Sequence, residues 1–93
     1  MNFEWNEHKS DACLRERGFD FAYVAQGFFD PFRLVAIDDR FDYGEPRLRM
    51  LARIDSRVFA VVYTLRDGSI RIISARKANQ REVRHYEDRA HDH

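Results

Sequence analysis

The sequence predicts an α+β domain built around consecutive antiparallel strands, and three observations lead to this prediction. Runs of strand-forming residues at 47–54, 57–65 and 69–76 are separated only by short turns. Apolar residues within 21–28 follow the i, i+3, i+4, i+7 spacing of an amphipathic helix. The C-terminal segment starts with Asn79 and has Glu82 three residues later, a pattern typical of a capped helix start.

The N-terminal half is predicted to contain two strands and two helices. Asn6 is a suitable N-cap and Gly18 suits the position after a helix C-terminus, so these two residues bracket a first helix. Asp20 caps a second helix, and Asp30-Pro31 ends it because the residue before a proline avoids the helical region. The predicted elements are a strand at 3–5, a helix at 7–17, a helix that starts at 21, a strand at 33–38 and a loop at 39–46.

Two tight turns set the register of the last three strands. Asp67-Gly68 between two apolar runs predicts a hairpin with a type I′ turn, and Asp55-Ser56 predicts a second two-residue turn. Counting outward from these turns predicts one face with the rows Arg47–Thr64–Arg71 and Arg49–Val62–Ile73, and an opposite core face with the rows Leu48–Tyr63–Ile72, Met50–Val61–Ser74 and Ala52–Phe59–Arg76.

Length and charge indicate a single domain, spanning residues 1–93, with an uneven charge distribution. Basic and acidic residues number 5 and 10 in 1–46, 10 and 3 in 47–84, and 1 and 3 in 85–93. The central block suggests a cationic face for a polyanion, although solvated arginines on a sheet would give the same composition. The single cysteine, Cys13, and the absence of a signal peptide or a long apolar run predict a cytoplasmic protein.

The sequence does not contain the residue patterns of a metal site, a cysteine nucleophile or a glycine-rich phosphate loop. The four histidines have no metal-binding spacing and one cysteine cannot build a thiolate site, so no metal is expected. Cys13 lies among apolar neighbours, which is more typical of a core residue than of a nucleophile. The sequence has no glycine-rich phosphate loop, and we expect no cofactor.

Arginines remain the main candidates for function. Arg47 and Arg71 on one row could hold a phosphate group, because guanidinium matches phosphate oxygens in a bidentate manner. Alternatively, they form structural ion pairs with Glu45 or Asp42. The first arrangement suits RNA cleavage without a metal, in which the 2′-hydroxyl attacks the neighbouring phosphate and preorganised cations stabilise the added charge. Because arginine is a poor proton donor, the acid would be a lysine, tyrosine or glutamate.

An ordered series of segments along nearly the whole chain resembles the BrnT family of toxins. The segments are "FEWNEHK" (3–9), "RERGFDF" (15–21), "FFDP" (28–31), "DYGEPR" (42–47), "VVYTLRDG" (61–68), "IRIISARKA" (70–78) and "REVRHYE" (81–87). The resemblance implies a RelE-like fold, with N-terminal helices packed on a twisted, mostly antiparallel sheet and a C-terminal helix. It also implies RNA cleavage that inhibits translation.

The resemblance further implies a partner and a set of site residues. The partner is a BrnA-like ribbon-helix-helix antitoxin, expected to form a 2:2 heterotetramer that contacts operator DNA only through the antitoxin. The implied catalytic residues are Glu45, Arg47, Arg71, Arg76 and Tyr86, where Glu45 orients an arginine or acts as a base. The implied RNA-binding residues are Lys9, Arg49, Lys77 and Arg81.

Two other functions are compatible with the same residues. The basic block could belong to a non-catalytic module that docks an acidic protein or operator DNA. Alternatively, the chain could be an inactive toxin that acts only as a co-repressor with its antitoxin. RNA binding without cleavage under any condition would favour the binding module over a ribonuclease.

Overall fold

The chain folds into a five-stranded sheet with helices on both of its faces. The computed structural model describes residues 1–40, 42 and 44–91, with only the backbone of His91, so positions 41 and 43 of the predicted loop lie outside the described residues. The elements are β1 (Asn2–Trp5), α1 (Glu7–Arg17), α2 (Phe21–Val24), a 3₁₀ helix (Ala25–Phe29), β2 (Leu34–Ile37), β3 (Leu48–Ile54), β4 (Arg57–Arg66), β5 (Ser69–Lys77) and α3 (Gln80–His91).

The sheet has the strand order β1-β5-β4-β3-β2 and is antiparallel except for the pairing of β1 with β5. The apolar composition of β4 on both of its faces agrees with its position in the centre of the sheet. The predicted α+β class, with N-terminal helices, a mostly antiparallel sheet and a C-terminal helix, is confirmed.

The first helix begins and ends where its capping residues predict. The side chain of Asn6 accepts a hydrogen bond from the backbone N–H of Lys9, and Gly18 has a left-handed φ of 89° and donates to the carbonyl of Leu14. Asp20 caps α2 by accepting from the backbone N–H of Tyr23. The second helix is not α-helical throughout, because the segment from Ala25 continues as a 3₁₀ helix.

The two faces of the sheet carry two separate apolar clusters. The larger cluster joins α1, α2 and the 3₁₀ helix to the predicted core face, and it includes Val24, Met50, Ala52, Val61 and Ile72, all almost completely buried. The smaller cluster lies under α3 and consists of Leu51, Val58, Ala60 and Tyr86, with partly buried neighbours. Because α3 covers only part of its face, the remainder of that face is left to polar and charged residues.

Gly27 marks the closest approach of the 3₁₀ helix to β3. A Cβ atom at this position would lie 2.9 Å from the Cβ of Ala52 and 3.1 Å from the Cε of Met50. We therefore expect Gly27→Ala to lower the free energy of unfolding by about 1–3 kcal/mol, the usual range for overpacking. Urea denaturation measures this change, with Ala22→Ser on the exposed side of α2 as the control. Equal stability of the two variants would contradict the expectation.

A β-bulge changes the predicted register of β5. Near the turn the prediction is confirmed, since Thr64 pairs with Arg71 and Tyr63 with Ile72, and φ values of 48° at Asp67 and 81° at Gly68 fit a type I′ turn. Beyond the bulge the prediction is wrong, because β5 holds one extra residue. The predicted pairs Val62–Ile73, Val61–Ser74 and Phe59–Arg76 are replaced by Val62–Ser74, Val61–Ala75 and Phe59–Lys77.

The bulge has a consequence for the charged face of the sheet. A one-residue shift turns every later side chain of a strand to the opposite face. Arg76 therefore pairs with Ala60 and leaves the predicted core face for the face that carries Arg71.

Large apolar side chains are exposed mainly between the 3₁₀ helix and the end of β2. The exposed residues of this segment are Phe29, Phe32, Val35 and Ile37. The strand β2 is also an edge strand, which leaves one side of its backbone open to pairing. Such a patch on a small domain is typical of a protein-binding surface. In the part of the chain that the structure describes, no helix has the length and apolar character needed to cross a bilayer.

Candidate functional site

Four arginines share the face of the sheet that α3 leaves uncovered. Arg49 pairs with Val62, Arg71 pairs with Thr64 and Arg76 pairs with Ala60, which places all three on one side of the sheet. Arg47 directly precedes Leu48 of β3 and, by alternation, lies on the same side. We call Arg47, Arg49, Arg71 and Arg76 the arginine face.

The backbone around Arg47 is held by two hydrogen bonds. The hydroxyl of Thr64, which is 1% exposed, donates to the carbonyl of Pro46 over 2.6 Å. On the other side, the backbone N–H of Asp38 donates to the carbonyl of Arg47 over 2.8 Å. These bonds fix the start of β3, so the side chain of Arg47 leaves the backbone from a defined position.

Glu45 lies close to three arginines, Arg66, Arg47 and Arg71, and it forms hydrogen bonds with Arg66. Its carboxylate accepts two hydrogen bonds from Arg66, at 2.8 and 3.1 Å. Those hydrogen bonds are the main reason that the pKa of Glu45 is lowered; desolvation opposes them, and the charges of Arg66, Arg47 and Arg71 lower the pKa further. A carboxylate with a lowered pKa is a weak base at neutral pH, so the arrangement favours orientation of arginines over proton abstraction.

Arg71 is paired with the first strand of the sheet. Its Nη1 atom lies 3.3 Å from a carboxylate oxygen of Glu4, and its side chain is 25% exposed. The alternative of pairing with Glu45 or Asp42 is not seen for Arg71 among the described residues. A long, single hydrogen bond leaves the other guanidinium donors available for a further ligand.

Lys9 and Arg47 line one groove between α1 and β5. This first groove has a volume of about 350 Å³ and also includes Arg17, Ile73 and Ser74. The strand β1 pairs with β5 only at residues 69–72. Beyond that point α1 lies beside β5, as shown by the contact of 3.7 Å between the Sγ of Cys13 and the carbonyl oxygen of Ala75. The structure thus brings together a lysine predicted to bind RNA and an arginine predicted to act in catalysis.

A second groove joins the first along the sheet. It is lined by Arg17, Arg40, Arg49, Ser74 and Arg76 around the small side chains of Ala60 and Val62. Arg17 lines both grooves, and neither Arg17 nor Arg49 forms an ion pair with another described residue. The two grooves give the arginine face a concave and positively charged surface around Arg47, Arg49 and Arg76, whereas Arg71 lines neither groove.

Arg76 is anchored to the start of α3. Its guanidinium donates to both oxygens of Glu82 at 2.6 and 2.9 Å. Glu82 also accepts from the backbone N–H of Asn79, and the side chain of Asn79 accepts from the N–H of Glu82, so the predicted capping box is confirmed. Hydrogen bonding to Arg76 is the largest cause of the lowered pKa of Glu82, with desolvation acting in the opposite direction.

The lowered pKa of Glu82 predicts an acid-dependent loss of stability. Its contribution is fully present above the unfolded-state pKa of about 4.5 and is lost as pH falls through the lower folded-state pKa. We expect the free energy of unfolding to fall less steeply between pH 5 and pH 3 in Glu82→Gln than in the wild type. Glutamine can still accept the capping hydrogen bond, so the difference between the two proteins reports the effect of the charge alone. Parallel pH profiles from urea denaturation would contradict this expectation.

Tyr86 lies apart from the arginine face, on the inner side of α3. It is 3% exposed, and its hydroxyl donates to Asp30 over 2.7 Å. Burial and the hydrogen bond to Asp30 raise the pKa of Tyr86 to about 12. The guanidinium of Arg53 lies 5.4 Å from the centre of the Tyr86 ring. These contacts indicate a structural role for Tyr86, which lines neither the first nor the second groove.

The last two predicted RNA-binding residues lie outside the two grooves. Lys77, at the end of β5, lines a separate cavity on the side of the sheet that carries α1. Arg81 is exposed in the first turn of α3. Neither of them forms an ion pair within the described part of the chain.

Three cations near the site were not among the predicted residues. Arg66 binds Glu45, Arg40 binds Asp38 with its Nε and Nη2 atoms, and Arg17 extends from the last turn of α1 into both grooves. Arg66 could have been found from the sequence, because it lies two residues after Thr64 and therefore on the same face of β4. The positions of Arg17 and Arg40 depend on how α1 and the loop before β3 pack, which no local pattern contains.

Comparison with known proteins identifies the family of the chain. A search of curated protein sequences returned no match. The family model described as "Ribonuclease toxin, BrnT, of type II toxin-antitoxin system" matches residues 5–82. The matched range holds every predicted site residue except Tyr86 and ends at the Glu82 that anchors Arg76. The chain therefore belongs to the BrnT family of ribonuclease toxins from type II toxin–antitoxin systems.

Proposed function

We propose that the arginine face binds the scissile phosphate of an RNA substrate and that the protein cleaves RNA without a metal ion. The observation that carries this proposal is that Arg47, Arg49, Arg71 and Arg76 lie on one face of the sheet, where Arg47 lines the first groove and Arg49 and Arg76 line the second. Membership of the family implies a ribonuclease toxin with an RNA target and an antitoxin partner. The proposal adds how the reaction proceeds and which residues take part.

In the proposed reaction the 2′-hydroxyl attacks its neighbouring phosphorus atom and the bond from phosphorus to the 5′-oxygen breaks. Arg47 and Arg71 stabilise the extra negative charge on the phosphorane, a role that needs preorganised cations. Lys9 is the favoured proton donor to the leaving 5′-oxygen, because it lines the same groove as Arg47. The proton of the 2′-hydroxyl passes to water, and Glu45 orients the arginines through Arg66.

Arg49 and Arg76 are proposed to hold the RNA backbone on either side of the reacting phosphate. Arg49 lines the second groove without an ion pair to a described residue, and its positive charge is available to a phosphate. Arg76 is fixed by Glu82, and an arginine already held in one rotamer loses less entropy when it binds. Lys77 and Arg81 are assigned to RNA further from the cleaved bond.

The chemical products test the reaction directly. We expect cleavage of single-stranded RNA to persist in EDTA and to leave a 2′,3′-cyclic phosphate on one fragment and a 5′-hydroxyl on the other. Mass spectrometry of the fragments measures both ends, and RNA with 2′-O-methyl groups throughout is the matched substrate that cannot react. Loss of cleavage in EDTA, or fragments with a 3′-hydroxyl and a 5′-phosphate, would contradict the proposed mechanism.

The cellular role follows from the same activity. We propose that RNA cleavage inhibits translation in the cytoplasm, and that a BrnA-like ribbon-helix-helix antitoxin neutralises it in a 2:2 complex. The complex would contact operator DNA only through the antitoxin. The exposed apolar patch from Phe29 to Ile37 and the open edge of β2 supply a surface of the kind that a protein partner covers.

The competing proposal is a binding module that holds RNA without cleaving it. The ion pairs of Arg71 with Glu4 and of Arg76 with Glu82 are what a purely structural network would also contain. Growth arrest on expression that is relieved by loss of Arg47 or Arg71, in a protein that remains folded, favours the ribonuclease. Tight RNA binding with no fragments from any RNA favours the binding module or a co-repressor.

A further inference from the structure

A cavity outside the proposed site of cleavage lies at the other end of α1 from Lys9. It has a volume of about 590 Å³ and opens between the C-terminus of α1, the turn from β3 to β4, and the end of β5. Ligand cavities of small molecules generally fall between about 300 and 1,000 Å³. The reaction proposed above makes no use of this cavity, which we call the distal cavity.

The wall of the distal cavity is aromatic. Phe19, Tyr23 and Phe59 line it and pack against one another, with ring centres 4.9–6.5 Å apart. The exposed side chain of Leu14 extends the apolar surface at the rim. Phe19 and Phe59 are buried and support Tyr23, whose half-buried ring is the one that can stack with a nucleobase.

The rim of the distal cavity carries cations that have no ion pair with any residue that the structure describes. Arg17, Arg57 and Lys77 are exposed and line the cavity, and none of them forms a salt bridge to another described residue. This contrasts with Arg66, Arg71 and Arg76, which all have carboxylate partners. Unpaired cations beside an aromatic wall suit a ligand that joins a phosphate to a base.

Two carboxylates in the distal cavity add a second kind of contact. Asp55 accepts a hydrogen bond from the hydroxyl of Tyr23 over 2.7 Å, and Asp20 accepts from the backbone N–H of Tyr23 over 2.9 Å. In the described part of the chain, the second oxygen of each carboxylate accepts no hydrogen bond. A carboxylate oxygen in this position recognises an exocyclic amino group of a base, which adenine, cytosine and guanine have and uracil lacks.

Arg17 connects the distal cavity to the proposed site of cleavage. This residue lines the distal cavity and both grooves of the arginine face. Lys77 of the distal cavity directly follows Arg76 of the second groove along β5. The path from Ser74 to Lys77 spans three residues, or about 10 Å, which equals about three stacked nucleotides.

We propose that the distal cavity binds an unpaired nucleotide of the same RNA, a few nucleotides from the cleaved bond. The base stacks on Tyr23 and donates a hydrogen bond from its amino group to Asp55, while Arg57 and Lys77 hold a phosphate. Arg17 contacts the RNA backbone between this nucleotide and the cleaved bond. This inference rests on the proposed ribonuclease function and adds a subsite that selects bases with an exocyclic amino group.

The experiment compares two double variants that remove equal charge. Arg57→Ala/Lys77→Ala acts on the distal cavity, and Arg84→Ala/Arg89→Ala removes two exposed cations of α3 that line no described groove. Fluorescence anisotropy measures binding of 2′-O-methyl 12-mers over a range of salt concentrations. Arg57→Ala/Lys77→Ala is expected to bind about tenfold more weakly. The slope of the logarithm of the binding constant against the logarithm of the salt concentration is expected to become shallower by about 1.4, the value for two lost single-strand phosphate contacts. The control is expected to match the wild type.

Base preference supplies an independent test. An oligocytidine 12-mer is expected to bind more tightly than an oligouridine 12-mer, and Asp55→Asn is expected to remove this difference. Asparagine tolerates the left-handed φ of 56° at position 55 and can still accept the hydrogen bond of Tyr23, so the fold is retained. Equal binding of the two oligonucleotides by the wild type would overturn the assignment of Asp55.

The outcomes separate this inference from the proposed function. If Arg57→Ala/Lys77→Ala binds the 12-mers like the control variant, the distal subsite is wrong whether or not the protein cleaves RNA. If it weakens the cleavage of trinucleotides as much as that of 12-mers, these cations act at the cleaved bond and the distal subsite is again wrong. If the wild type cleaves no RNA but binding depends on Arg57 and Lys77, the subsite stands and the proposed catalysis fails.

Discussion

Arg71→Ala is expected to slow RNA cleavage by about 10²- to 10³-fold, the usual effect of removing one preorganised group that stabilises transition-state charge. Arg71 extends from the strand that pairs with the centre of the sheet, and its charge lies close enough to lower the pKa of Glu45. Its pair with Glu4 is partly exposed, so the free energy of unfolding should fall by no more than about 1 kcal/mol. Single-turnover cleavage and urea denaturation measure the two quantities separately.

Glu4→Gln is the matched control for Arg71→Ala. It removes the same ion pair with β1 and leaves the guanidinium in place. If Arg71 acts on the phosphate, Glu4→Gln retains cleavage and Arg71→Lys recovers only part of it, because lysine lacks the bidentate fork. If Glu4→Gln and Arg71→Ala lose equal activity, Arg71 acts only by holding β1 and the proposed role is wrong. The same comparison applies to Arg47→Ala, for which loss of cleavage in a folded protein is also expected.

The features that the sequence predicts well are those set by neighbouring residues. Helix α1 begins after Asn6 and ends before Gly18 because the capping bonds involve residues at most four positions away. The Asp67-Gly68 turn and the pairing of Thr64 with Arg71 follow from two residues that accept positive φ. Arg71 and Thr64 could therefore be placed on one face without a structure.

The features that the sequence does not predict arise from distant contacts. An extra residue near Ile73 shifts β5 by one position, and no glycine or other local signal marks the bulge. The ion pair between Glu4 and Arg71 joins residues 67 positions apart, and the hydrogen bond between Asp30 and Tyr86 joins residues 56 positions apart. Periodicity predicts the face on which each residue lies, but it does not predict which charged residues form ion pairs with one another.

The bulge also decides how the candidate site is composed. A regular β5 would place Arg76 on the core face, where its charge would be buried beneath α1 and α2. The bulge moves Arg76 to the arginine face, where Glu82 of α3 binds it. It also places Ser74 opposite Val62 on the floor of both grooves. Bulges often occur next to active sites because they redirect a side chain, and this one supplies the fourth arginine.

Asp30→Ala is expected to give the largest loss of stability, about 3 kcal/mol or more, because three hydrogen-bond donors lose their acceptor. One carboxylate oxygen accepts from the backbone N–H of Arg53 at 2.8 Å and the hydroxyl of Tyr86 at 2.7 Å, and the other accepts from the N–H of Phe32 at 2.9 Å. Desolvation raises the pKa of Asp30, but these hydrogen bonds outweigh it and the net pKa is lowered. The same group thus joins the 3₁₀ segment, β3 and α3.

Tyr86→Phe decides whether Tyr86 belongs to this network or to the catalytic machinery. A structural role predicts a loss of about 1 kcal/mol, unchanged cleavage by the folded protein, and a double variant with Asp30→Ala that is more stable than the sum of the single changes. A catalytic role as proton donor predicts a loss of cleavage of about 10²-fold or more at unchanged fraction folded. The raised pKa of Tyr86 and its bond to Asp30 favour the first result, since a hydroxyl proton that is donated to a partly buried carboxylate is not available to a leaving oxygen.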